Sequence, residues 1–220
     1  MGEVKVKMGM NSKGIMEHVA SFSILGKLVG SKVKLTGELS KDSATIIMMH
    51  GVPEKYGTQL GLSYDKVQES MNVMRQYDPD SGTKAIILTG KKLERYINIG
   101  IKISCEYCCS AISIIQSSGA SACGCAHAKA MRGLMAYLIQ NYDESNFSND
   151  QILRELARWK GRYFPKQMMK KLTGQIQSGK YTHDISAILL DIKLPKYSNS
   201  STSVPLPSSI EDLPSMVGGC

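Results

Sequence analysis

Five of the six cysteines and one of the four histidines lie between Cys105 and His127. No other stretch restricts the fold so much. Thiolate and imidazole converge on soft or borderline metals, and thiols also exchange with disulfides. The order is Cys105-Glu106-Tyr107-Cys108-Cys109, an apolar connector, then Cys123-Gly124-Cys125-Ala126-His127. Such bunching differs from the spread spacing that staples a small secreted fold, and it points to metal binding or redox work.

Cys105-x2-Cys108 places two thiolates on one tight turn, the geometry of a zinc knuckle. Residues 111–115 are apolar and β-branched, 116–119 are turn-like, and 120–122 read as a return strand. After Cys123-Gly124-Cys125, residues 126–140 are rich in helix formers. Knuckle, hairpin, second thiol pair and helix follow the element order of a treble-clef zinc fold, although the second pair is spaced Cys-x-Cys. The preferred ligand set is Cys105, Cys108, Cys123 and Cys125, with His127 replacing one thiol where helix geometry demands it. Cys109 and Cys220 are further candidates. A structural zinc takes four ligands, so the segment holds more donors than one ion needs.

That surplus keeps other chemistry open. His127, Met131 and Met135 share one stripe of the predicted helix, a mixture of donors that suits Cu(I), although the same stripe reads as an ordinary core face. Thiol–disulfide exchange would use Cys108-Cys109 or Cys123/Cys125. Arg132, off the stripe, is placed to pair with a carboxylate or to lower neighbouring thiol pKa values.

Helices are predicted around this segment from local signals. Ser63 reads as an N-cap for a helix over 64–77, and Thr89 as the cap of one over 91–100. Ser148 and Gln151 form a capping-box pattern for a helix over 149–163, and Pro165 opens another that ends near Gly174. Residues 1–60 give no clear element beyond two short Lys/apolar alternations, Val4–Lys7 and Lys32–Leu35, and a compact apolar run at Ala44–Met49. Residues 61–195 form the helical domain with the Cys/His segment. Residues 196–220 read as a flexible Ser/Pro-rich tail ending on Cys220, with a reach of roughly 25 Å that could return a thiol to the site.

Lys and Arg number 27 against 19 Asp and Glu, a net charge of +8, and seven basic residues between Arg154 and Lys171 face only Glu155. This is compatible with a zinc-stabilised nucleic-acid-binding module, or with a solvated helix face. Aromatic residues, at 6%, are too few for a base-stacking platform. No phosphate loop, Ser-His-Asp set or paired acidic motif appears, and no run has the length of a membrane span or the form of a signal peptide. The expected compartment is the cytoplasm.

Cys123-Gly124-Cys125 and Tyr107-Cys108 resemble, in part, the PCYCGC-motif proteins, a bacterial group of Cys-rich, mostly exported proteins. More closely, residues 103–138 and 213–220 resemble uncharacterised archaeal Cys-rich proteins with a Cys-x2-Cys-Cys…Cys-x-Cys-x-His pattern. That resemblance implies no known activity. It does imply that the terminal Gly-Gly-Cys belongs to the pattern and that relatives carry an N-terminal membrane anchor. The expectation is therefore a mainly helical α+β protein with a small β-hairpin in its Cys/His segment. It binds zinc, with copper second, in a structural or metal-handling role rather than a catalytic one.

Overall fold

The computed structural model describes residues 44, 47–109, 111–174, 210 and 212–219, and the backbone alone of 7–10, 16–19 and 175–178. The expected strand at Lys32–Leu35, the Ser/Pro-rich stretch 196–209 and Cys220 lie outside the described residues. Two four-residue strands, β1 (Lys7–Met10) and β2 (Met16–Val19), pair antiparallel with Lys7 opposite Val19 and Met10 opposite Met16. The body of the fold is helical: α1 (Gly57–Leu60), α2 (Val67–Met74), α3 (Gly90–Gly100), α4 (Ala126–Asn141), α5 (Asn149–Tyr163) and α6 (Pro165–Ser178).

Helix α4 is the centre. It packs against α2, the 3-10 turn Arg75–Tyr77 that extends α2, α3 and α5. Its residues from Ala130 through Ala136 are all buried. Gly133 makes the closest of these approaches possible. A Cβ there would lie 2.0 Å from the Met74 carbonyl oxygen, so the end of α2 rests directly on the backbone of α4. Glycine in a helix interior costs about 1 kcal/mol relative to alanine, and this close packing offsets it. Gly100 serves the same purpose on α3, where a Cβ would meet Ile115 and the Met135 methyl.

A second part of the core surrounds Trp159 on α5. Its indole N–H donates to the Tyr56 hydroxyl (2.9 Å), and the Tyr56 and Tyr64 hydroxyls both donate to the buried Glu155 carboxylate (2.8 and 2.7 Å). Arg158 completes the charge balance on Glu155. A carboxylate removed from water is tolerated here because each of its oxygens has a donor.

The α+β expectation is overturned. Residues 111–122 form no hairpin; they contribute one isolated bridge, Ile115 with Ser121. The β-branched run that suggested a strand is instead inserted among helices, with Ile114 and Ile115 fully buried. The Ile114 N–H is taken by the Ile103 carbonyl (2.9 Å), and the Ile114 carbonyl accepts from Ala122 (3.2 Å). Strand propensity chiefly reports fitness for a half-buried surface, and a helical core supplies that burial equally well. Among the described residues, no helix is long and apolar enough to cross a membrane.

The end of the chain returns to this body. Ile210 is buried, the Val217 N–H donates to the Tyr163 carbonyl (2.8 Å), and the Gly219 N–H donates to Gln68 Oε1 (3.1 Å).

Candidate metal centre

Between α3 and α4 the chain runs irregularly, and all five clustered cysteines lie on that run or at its end. The knuckle begins at the buried Cys105, whose carbonyl accepts from the Tyr107 N–H (2.7 Å). Such a tight path forces Glu106 to φ 63°, the left-handed region, where no other non-glycine residue is found among the described residues. A side chain there costs about 1–3 kcal/mol. The Glu106 carboxylate is anchored by Lys160 of α5 (2.8 Å) and Lys171 of α6 (2.9 Å), which holds the turn in place. The consequence is that Cys105, Cys108 and Cys109 all face one point.

Cys125 meets them from the other side. It is the N-cap of α4, and its sulfur accepts from the Ala128 N–H (3.4 Å). Cys105 Sγ lies 3.3 Å from Cys108 Sγ, 3.2 Å from Cys109 Sγ and 3.7 Å from Cys125 Sγ, and Cys108 Sγ is 3.2 Å from Cys125 Sγ. The four sulfurs lie within 4.8 Å of one another, close enough to hold one metal ion, and all are free thiols. With Zn–S bonds near 2.3 Å, a tetrahedron has S···S edges of about 3.8 Å. The group is therefore close to the required size.

The thiols divide their protons unequally. Hydrogen bonding with Cys105 pulls the Cys125 thiol down to about 2 against the opposing effect of burial, with further help from His127 and the Ala128 N–H. A helix N-terminus favours the same anion. Cys105 is pushed up, first by its hydrogen bond to Cys125 and then by burial. Burial pushes Cys108 up as well. Cys109, burial notwithstanding, is held below its usual value by Cys123, Cys105 and the Ala111 N–H. Without a metal the group thus favours a thiolate at Cys125, while Cys105 and Cys108 hold their protons more tightly than usual. A cation would replace those protons.

Cys123 is outside the four-thiol group, though its sulfur comes within 2.7 Å of Cys109 Sγ; burial and Cys109 push its thiol up to about 11. His127 is also outside that group. It is fully buried between the rings of Tyr163 and Phe164, and its Nε2 pairs with the Val217 carbonyl (3.0 Å). Its Nδ1 makes no hydrogen bond, yet the ring lies near enough to Cys125 to favour the thiolate. Met131 and Met135 are core residues.

Two supports of the centre leave faint marks in the sequence. Arg132 of α4 is buried and grips Asp78 with two hydrogen bonds (2.8 and 3.0 Å), while its Nη1 donates to the carbonyls of Cys123 (2.7 Å) and Ile114 (3.2 Å). It ties the thiol-bearing run to the middle of the core. Of the two roles open to Arg132, the carboxylate pairing is the one formed. The Lys160–Glu106–Lys171 anchor is the second support, and its only sequence signal is an acidic residue inside the knuckle.

The basic run Arg154–Lys171 is largely turned inward. Arg154 and Lys160 are buried, Arg158 pairs with Glu155, Arg162 donates to the Tyr64 carbonyl (2.8 Å), and Lys160 and Lys171 hold Glu106. Charges engaged in this way are poorly placed to neutralise phosphates, and they are not simply a solvated helix face. No family model, curated protein or solved structure matches the chain, which leaves the four-thiol group of Cys105, Cys108, Cys109 and Cys125 as the feature that speaks to function.

Proposed function

We propose that the protein binds zinc through Cys105, Cys108, Cys109 and Cys125, and that the ion has a structural or metal-holding role. The observation that carries this reading is the convergence of four reduced thiols within 4.8 Å of one another. Thiolates select zinc or Cu(I) over hard cations, and four of them around one point suit a tetrahedral d¹⁰ ion without geometric demands of its own. Copper is the second choice because Met131 and Met135, whose thioethers would favour Cu(I), are core residues. A site closed by four protein ligands has no open position for substrate or water, which argues against metal catalysis. Relative to the set expected from spacing alone, Cys109 takes the place of Cys123, and His127 acts beside a ligand rather than as one.

Metal analysis of protein purified without added metal, with a count of free thiols, tests this directly. One zinc per chain is expected, exchangeable for Co²⁺ with the thiolate-to-metal absorption of a four-sulfur site. Metal-free protein with paired cysteines, unable to take up Co²⁺ after reduction, would overturn it.

A further inference from the structure

One thiol is left over, and its position is informative. Cys123 is not needed to complete a four-sulfur site, yet Cys109 Sγ and Cys123 Sγ are 2.7 Å apart, the shortest of the sulfur contacts, the others being 3.2–3.7 Å. A disulfide has its sulfurs about 2.05 Å apart, so the pair needs to close by only roughly 0.6 Å. Both thiols are partly exposed, whereas Cys105 is buried. The backbone of Cys123 is fixed by Arg132, which holds its carbonyl at 2.7 Å, and the next residue, Gly124, has open space where a side chain would be. The leftover thiol thereby lies nearest to Cys109 among the ligands of the centre, with Cys125 its other thiol neighbour.

We propose that Cys109 and Cys123 form a redox-active pair that reacts with small-molecule disulfides, and that closing the pair releases the metal. The Cys109 thiolate attacks one sulfur of the small disulfide RSSR. The RS–SR bond breaks, a Cys109–S–SR mixed disulfide forms, and RS⁻ leaves. Cys123 then attacks the Cys109 sulfur, expels the second RS group and passes its proton to it as RSH. Both cysteines are oxidised, and the reagent takes up the two electrons. Cys109 can no longer act as a full thiolate ligand, so the ion remains with Cys105, Cys108 and Cys125 alone and is lost to competing chelators. The release depends on the metal reading above; the disulfide does not.

The test uses the full chain, loaded with zinc and treated with oxidised glutathione in the presence of a chromophoric zinc indicator. Differential alkylation and fragment-ion mapping then locate the new disulfide. The expected result is one Cys109–Cys123 bond per chain and release of zinc at the same rate, both reversed by a reductant with added zinc. In a buffer that also holds reduced glutathione, Cys123→Ser should bind zinc in the same ratio but release it about tenfold more slowly, because without a resolving thiol the free glutathione reverses the mixed disulfide on Cys109 and restores the ligand before the ion escapes. Release from Cys123→Ser as fast as from the native chain, or a disulfide mapped to another pair, would overturn the proposal. Should the chain hold no zinc at all, the metal reading fails alone: a Cys109–Cys123 bond mapped in the metal-free protein would still support the redox pair.

Discussion

Buried at the middle of the thiol group, Cys105 touches three other sulfurs, at 3.2, 3.3 and 3.7 Å. Each contact is also an edge of the proposed coordination shell. Removing this sulfur should therefore weaken zinc more than losing a hydrogen-bond partner of a ligand, which typically costs about 10–100-fold. Competition between Cys105→Ser and a calibrated chelator measures the loss; an unchanged affinity would show that the ion sits elsewhere. Proton balance gives a second expectation at the same scale. Near neutral pH the metal-free centre keeps Cys105 and Cys108 protonated, because their thiols are pushed up, while Cys125 is already a thiolate. Binding must then expel protons from Cys105 and Cys108, so affinity rises with pH until those two thiols ionise on their own. Calorimetric titration in buffers of different ionisation enthalpy reads this release. Binding that is independent of buffer and pH would contradict it.

Elements whose ends are set by neighbours in sequence were the legible ones. The capping box forms as its residues suggest, with the Ser148 hydroxyl accepting from the Gln151 N–H (3.3 Å), Gln151 Oε1 accepting from the Ser148 N–H (2.8 Å), and α5 running Asn149–Tyr163. Pro165 opens α6, and α4 begins where helix formers follow Cys125. Ser63 caps only a turn: its hydroxyl accepts from the Asp65 N–H (3.2 Å) while donating to the Gly51 carbonyl (3.2 Å), and α2 starts only at Val67. The convergence of Cys109 with Cys105 was equally hidden. Adjacent cysteines seldom share an ion, and the turn that aims them here is fixed by lysines on α5 and α6, far along the chain. Because the Ser148 cap is local, its loss should be local too. Ser148→Ala should lower stability by about 1 kcal/mol in urea unfolding while leaving metal content unchanged, and a change in metal content would mean that α5 positions the centre more tightly than its contacts indicate.

Across the whole molecule, the hydrophobic core is a source of stability that does not depend on the proposed metal. A small zinc finger has almost no core and is unfolded without its ion. This chain instead buries Tyr56, Trp159, Tyr163, Phe164 and the inner face of α4 in a core that extends well beyond the thiols. The run from Cys105 to Cys125 is also secured without a metal, through Arg132, Asp78 and the carbonyls of Ile114 and Cys123. A bound ion would add to this by joining the knuckle to the N-terminus of α4, and its contribution should follow mass action. Free zinc at about 100 times its dissociation constant stabilises by about 2.7 kcal/mol. Chelation is therefore expected to lower the urea midpoint while the far-ultraviolet circular dichroism below the transition keeps its helical signal. The opposite result, loss of helix on chelation without denaturant, would mean that the ion nucleates the fold and that the packing around α4 cannot stand without it.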